Sequence, residues 1–273
     1  MSTSTRRGFL GFVSASAAGL LGTRAQAAPA AADDEPACIL TPQAEEGPFY
    51  VDPKLVRQDI TEGRPGVPLT LRLRVIEAGP CTAIKGARID IWHCDAKGLY
   101  SAFPGQGDRH TIDASGKTFL RGTQVTDDAG WASFNTIYPG WYDGRTAHIH
   151  FKVFLDDKSV LTGQTYFPDA LNEFIYTNVP DYGDRARQRA ILNANDGVIA
   201  RSDPEHRAFC AVKEERDRYV ATLTIGVDRR ADGTVGRAGP PPGPPPAGQQ
   251  PPRFGRVIKD RLAALVPGLK SGR

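Results

Sequence analysis

Apolar and polar residues alternate in short runs, separated by turns, along most of this chain. The run Leu69-Thr-Leu-Arg-Leu-Arg-Val-Ile-Glu77 puts its apolar side chains on one face, as a half-buried strand does. Gly79-Pro-Cys81 breaks it. Ala87-Arg-Ile-Asp-Ile-Trp-His-Cys94 repeats the alternation before the turn Asp95-Ala-Lys-Gly98. Residues 118–126 and 131–137 read as two strands joined by a hairpin turn at Asp127-Asp-Ala-Gly130. Residues 147–155 and 160–167 flank the turn Asp156-Asp-Lys-Ser159, and 219–227 is a last strand. Short strands at this spacing predict a mainly β chain, an antiparallel β-sandwich with loops and few short helices. A polar, Gly-rich loop spans 102–118, and 171–195 is mixed, with one short helix expected over 184–193.

Composition narrows the classes. The 273 residues suffice for one sizeable core. A net charge of +3, with no Lys/Arg block, points to neither nucleic acid nor a membrane surface. The 22 prolines and 29 glycines favour turns. Residues 1–27 read as a targeting segment: Thr5-Arg-Arg-Gly-Phe-Leu10 has the twin-arginine pattern, an apolar run follows, and Ala25-Gln-Ala27 is a cleavage site. The apolar run is too short to span a bilayer, which takes about 20 residues. The expectation is export, with a β-sandwich domain over 28–230. A Pro/Gly-rich linker is expected over 231–253, and a tail over 254–273 with a short amphipathic helix at 257–266. In an exported chain Cys38, Cys81, Cys94 and Cys210 suggest two disulfides; all three pairings stay open, as does one disulfide with two buried thiols.

The densest chemistry lies in Tyr138-Pro-Gly-Trp-Tyr-Asp-Gly-Arg-Thr-Ala-His-Ile-His-Phe151. On a strand over 147–155, Ile149, Phe151, Val153 and Leu155 face one side, while His148, His150 and Lys152 face the other. Two imidazoles at i and i+2 can share a metal. Tyr142 lies six residues before His148, beyond a Gly-containing turn that can return its phenol to the same place. His93 reads as a structural histidine and His110 as a solvated loop residue.

Four stretches resemble the intradiol ring-cleavage dioxygenases, iron(III) enzymes that open catechols between their hydroxyls, and most closely their exported bacterial branch. They are Glu46-Gly-Pro-Phe-Tyr50, Ile91-Trp-His-Cys-Asp-Ala-Lys-Gly-Leu-Tyr-Ser101, Phe119-Leu-Arg-Gly-Thr-Gln124 and 136–151. The resemblance implies an Fe(3+) centre held by Tyr100, Tyr142, His148 and His150. It also implies Arg145 beside the substrate, and Gln164 near the oxygen-binding side. Tyr142 rather than Tyr138 follows Pro-Gly-x, where the family keeps its second tyrosine; Tyr138 is expected in the core or the pocket wall. Anionic phenolates suit a hard trivalent ion. The implied reaction takes a small catechol and O2 to a cis,cis-muconate-type diacid, with Tyr142 the ligand that leaves. Fewer than twenty residues separate the expected cleavage site from Glu46, too few for the helical dimerisation segment of the catechol enzymes. Two other classes fit parts of the sequence: a secreted β-sandwich binding module without catalysis, and a zinc hydrolase built on His148 and His150. The loop 103–115 is expected to choose among catechols.

Overall fold

The computed structural model describes residues 38–52, 54–107, 109–183, 189–234 and 261–266. The expected targeting segment, and all of the Pro-rich run beyond residue 234, lie outside the described residues. Eight strands form two four-stranded sheets. The first holds β4 (Trp131–Ile137), β1 (Pro68–Glu77), β8 (Tyr219–Val227) and β7 (Ala211–Glu214), in that order. The second holds β3 (Arg121–Val125), β2 (Arg88–Trp92), β5 (His148–Leu155) and β6 (Lys158–Tyr166).

The alternation in the sequence is the reason the sheets pack. Leu69, Leu71, Leu73 and Val75 of β1 are buried. In register with them lie Phe134 and Ala132 of β4, and Ala221, Leu223 and Ile225 of β8. They share one apolar core with Ile89, Ile91, Ile149, Phe151 and Val153 of the second sheet. The expected sandwich is therefore present, and β4 and β8 begin and end where the alternation does.

Two connections differ from expectation. The turn at 127–130 does not close a hairpin. Strand β3 pairs with β2 and β4 pairs with β1, so this turn carries the chain from one sheet to the other. Asp127 Oδ1 accepts from Ala129 N and Trp131 N at 2.9 and 2.8 Å. That side-chain turn reverses the backbone without needing a paired ladder on both sides. The other difference is that β1 and β8 run parallel, so the first sheet is mixed rather than wholly antiparallel.

Helices are few and short: α1 (Asp169–Asn178), α2 (Pro180–Gly183), α3 (Gly197–Ser202) and α4 (Arg261–Leu265). Of the helix expected over 184–193, residues 184–188 lie outside the described residues. Residues 189–192 are irregular, and a single 3-10 turn follows over Asn193–Asn195. α4 falls within the helix expected over 257–266 and meets α1 through Arg261 Nη2 and Glu173 Oε2 at 2.7 Å.

Both faces of β5 are buried, the histidine face as well as the apolar one. The lead-in covers the histidine face. Ala44 N donates to Thr162 O of β6 at 3.0 Å, and the Glu46 carboxylate pairs with Lys152 Nζ. A single disulfide, Cys38–Cys81, ties the start of this lead-in to the loop after β1. Cys94 and Cys210 are buried thiols, so the second disulfide does not form.

The closed loop has a sequence separation of 43 residues. Chain entropy puts the contribution of such a cross-link at about 2–4 kcal/mol. Replacing Cys38 and Cys81 together by Ser is expected to lower the free energy of unfolding by that amount, read as a lower denaturant midpoint. An unchanged midpoint would show that the lead-in holds without its tether.

Candidate metal centre

Each donor side chain reaches the site for a local reason. His148 and His150 lie on one face of β5, as their spacing requires. Tyr142 returns through the turn that follows it, where Arg145 N donates to Tyr142 O at 3.2 Å and Gly144 takes φ +88°. Tyr100 arrives from the end of β2. There Asp95 Oδ1 accepts from Lys97 N and Leu99 N, both at 2.9 Å, and folds the chain back. Trp92 pairs in register with His150, which sets β2 beside the histidines.

The four donor atoms converge. His148 Nε2 stands 3.4 Å from Tyr100 Oη, 3.3 Å from Tyr142 Oη and 3.2 Å from His150 Nε2. His148 Nδ1 lies 2.7 Å from Thr146 O. A carbonyl only accepts, so Nδ1 carries the proton and the neutral ring's Nε2 is a bare lone pair aimed at the cluster. Ligands bound about 2.1 Å from a single ion lie about 3.0–3.4 Å apart, so these separations fit one metal among the four atoms. Among the described residues, His150 Nδ1 is buried without a hydrogen-bond partner, and no group of three or more His, Cys, Asp or Glu side chains could hold a metal. A metal held here would need the two phenols beside the two imidazoles.

A tight shell fixes the rings. Trp92 stacks on His150 at 4.8 Å and 8°. Phe49 stacks on Tyr100 at 4.5 Å. At Gly47, with φ +70°, an added Cβ would lie 3.4 Å from His150 Cε1, so the lead-in backbone packs directly on the imidazole edge. Buried Arg121 donates to Ser101 Oγ, Ser101 O and Phe49 O at 2.8, 2.8 and 2.6 Å, joining the Tyr100 segment to the lead-in.

Arg145 and Gln164 come together as well. Arg145 Nη2 donates to Gln164 Oε1 at 2.5 Å, and Gln164 lies opposite His150 in the sheet register. Gln164 Nε2 donates to Glu45 O at 2.8 Å. Sequence reasoning missed Asp196, whose buried Oδ2 accepts from Arg145 Nε at 2.9 Å and Thr146 N at 2.8 Å. Its one signal was an Asp just before Gly197-Val-Ile, the pattern of a helix N-cap. His93 is structural, as expected: Nδ1 donates to Cys94 O at 2.8 Å, and Nε2 accepts from Thr136 Oγ1 at 2.7 Å. His110 is partly buried, with Nδ1 3.0 Å from Gly105 O. Tyr138 is in the core, donating to Asn172 Oδ1 at 2.7 Å.

The family model described as "Dioxygenase" matches residues 42–205, a span that takes in all four donors. The chain belongs to the intradiol, catechol-type ring-cleavage dioxygenase family. It is 28% identical over 188 residues to a catechol 1,2-dioxygenase of Acinetobacter baylyi, covering 60% of this chain and 55% of that one. It is 36% identical over 112 residues to a catechol 1,2-dioxygenase of Candida albicans, covering 34% and 33%. The chain thus spans about half or less of the length of these curated relatives. An intradiol ring-cleavage dioxygenase of Tetranychus urticae superposes with TM-score 0.65 at 28% identity, covering 72% of this chain and 98% of that one.

Electrostatics in this member of the family favour neutral ligands until a cation arrives. Burial, then the neighbouring Arg145, holds His148 well below the usual imidazole range; burial, then His148 and Arg145, does the same to His150. Burial raises the Tyr100 phenol far above 10. It raises Tyr142 to about 12, with Arg145 pulling the other way. Tyr100, His148 and His150 are buried and Tyr142 is half-buried, so the site faces outward on the Tyr142 side.

Burial also lowers His93, to about 4. An unfolded histidine titrates near 6.5, so between these values the unfolded chain binds the extra proton. Stability of metal-free protein is thus expected to be full above about pH 6.5 and to decline as pH falls toward about 4. Urea midpoints measured across that window test this. A midpoint that stays flat below pH 6 would mean these imidazoles are not held neutral by the fold.

Proposed function

We propose that this chain cleaves a catechol-type diol between its hydroxyls with O2, giving a cis,cis-muconate-type dicarboxylic acid, on an Fe(3+) held by Tyr100, Tyr142, His148 and His150. The observation that carries this is the bare Nε2 of His148, facing two phenols and a second imidazole within 3.4 Å. Two phenolates and two neutral imidazoles suit a hard trivalent ion. The zinc-hydrolase alternative lacks a third His, Cys or carboxylate donor among the described residues. The non-catalytic module is disfavoured because the donor set is complete.

Bound iron(III) would anchor the diol and couple its oxidation to O2. The protein does the rest. Tyr142 is the half-buried donor and sits on a turn, so it is the ligand placed to swing away when a diol enters. Burial gives its free phenol a pKa of about 12, so once released its oxygen takes and keeps a substrate proton. Arg145, cationic and fixed by two partners, faces the same cluster and stabilises negative charge that builds on the diol ring. Gln164 spends its carbonyl oxygen on Arg145 and Tyr166 and its amide on Glu45 O, so its part is to hold Arg145 in line.

We further infer export through the twin-arginine route. The Cys38–Cys81 disulfide supports an oxidising compartment. The substrate is a small aromatic diol, and the loop 103–115 is the segment assigned to choose among catechols.

Protein loaded with iron(III) is expected to be red-brown from tyrosinate charge transfer. It should consume O2 with at least one member of a catechol panel and release the ring-opened diacid. A colourless iron-loaded preparation would sink this reading. Tyr100→Phe should lose both colour and iron on gel filtration; unchanged iron content removes Tyr100 from the ligand set.

A further inference from the structure

We infer that Asp196 is the positioning residue of this site, fixing both the Arg145 guanidinium and the carbonyl that sets the His148 tautomer. The inference rests on the proposed reading of Arg145 as the group beside the substrate. Three observations carry it.

The first is reach. Asp196 is fully buried, and its two oxygens divide four donors between them. Oδ2 accepts from Arg145 Nε at 2.9 Å and Thr146 N at 2.8 Å. Oδ1 accepts from Val198 N and Ile199 N at 2.8 and 3.1 Å, capping α3. A carboxylate saturated in this way has one orientation, so Arg145 Nε is held against a fixed point.

The second is complementarity. Gln164 Oε1 takes Arg145 Nη2 at 2.5 Å. Asp196 and Gln164 thus grip different nitrogens of one planar group. The guanidinium plane is set by both together, where either alone would leave it free to pivot. Asp196 also supplies a buried negative charge beside a mostly buried positive one, so neither ion is left uncompensated at the edge of the interior.

The third is continuity with the metal donors. The same Oδ2 that holds Arg145 holds Thr146 N, and Thr146 O accepts from His148 Nδ1 at 2.7 Å. Thr146 Oγ1 donates to Asn193 Oδ1 at 2.8 Å, anchoring that residue again to the turn before Asp196. The segment 193–199, far in sequence from the donors, therefore belongs to the active site through contacts that neither touch substrate nor bind metal.

Asp196→Asn separates positioning from mere capping, because the amide oxygen still accepts from Val198 N and Ile199 N, while the NH2 that replaces Oδ2 accepts from neither Arg145 Nε nor Thr146 N. With catechol as substrate, kcat is expected to fall about 10- to 100-fold, with iron content and the tyrosinate band kept. In an Arg145→Gln background the same change should cost clearly less than in the wild type, since the share acting through Arg145 is gone and only the Thr146 link is left to lose. In the metal-free protein, the Arg145 Nε–H resonance should be protected from solvent exchange and lose that protection in Asp196→Asn. Asp203→Asn, another buried carboxylate that accepts only backbone N–H groups, should leave kcat unchanged.

Wild-type kcat in Asp196→Asn, or an equal loss in the Arg145→Gln background, would overturn the inference. Should Asp196→Asn fail to fold, Arg145→Lys tests the same grip. Its ammonium keeps the charge but cannot engage both Asp196 and Gln164, and full activity there would also overturn it. Absence of O2 uptake by the wild type with any catechol would strike the proposed function instead, and leaves the exchange measurement as the test of the grip.

Discussion

The hydrogen bond from His148 Nδ1 to Thr146 O, 2.7 Å long, decides what this site can be. It places the imidazole's one proton outward and leaves Nε2 as a lone pair inside a cluster of donors. Without it the ring could present an N–H to the phenols, and the cluster would be a closed hydrogen-bond network rather than a ligand set. Thr146 is itself held from two sides, by Asp196 and Asn193. The donor geometry is thus fixed by parts of the chain that lie some fifty residues downstream of Thr146.

The second constraint is the burial of the polar face of β5. A strand carrying two histidines and a lysine is expected to show them to water, and burying them costs free energy unless each polar atom finds a partner. Nearly every one does. Lys152 meets Glu46, Gln164 meets Glu45 O and Arg145, and Asp90 accepts from Tyr50 and Thr123 at 2.9 and 2.7 Å. Among the described residues of this face the network leaves His150 Nδ1 without a partner, while His150 Nε2 turns toward His148 and the two phenols. The lead-in supplies much of this cover: it packs Gly47 on His150 and Phe49 on Tyr100. An irregular, acidic segment thereby excludes water from the donors, and its tether through Cys38 is part of the same device.

Much of this was legible in the sequence wherever one residue pattern had one physical meaning. Alternation at 131–137 and 219–227 can bury apolar side chains only as a strand, and both strands appear with those bounds. His-x-His on a strand must share a face, and it does. Partner choice was not legible. The turn at 127–130 looks the same whether it closes a hairpin or crosses the sandwich, because Asp127 satisfies the turn's own backbone in either case. The parallel pairing of β1 with β8 joins the first strand to the last, and no local pattern encodes it. Strand β7, four mostly exposed residues on an edge, has too little apolar surface to alternate. Helix α1 was missed because Asp169–Asn178 buries polar Asp169 and Asn172 beside Ile175 and Tyr176, which blurs a helical stripe. Asp196 was missed: the residues around it spell at most a helix cap, and nothing local reveals that its second oxygen reaches Arg145.

The four donors are not equivalent, and the difference follows from where the fold puts them. His150 is paired on both sides, by Trp92 of β2 and Gln164 of β6, and His148 is paired with Tyr166 of β6. Tyr100 is locked by Phe49 and by the Arg121 clamp on its neighbour Ser101. Tyr142 has neither support: it belongs to a turn closed by one backbone hydrogen bond, and it is the donor nearest solvent. A ligand that must give way to substrate has to be the one whose displacement disturbs least. In this fold that condition selects the tyrosine beside the outward-facing side of the site, and Arg145 follows it by three residues in the same turn. On the proposed reading, the phenol that would depart and the cation that would meet the diol are carried by one short segment, and Asp196 and Gln164 hold that cation in place.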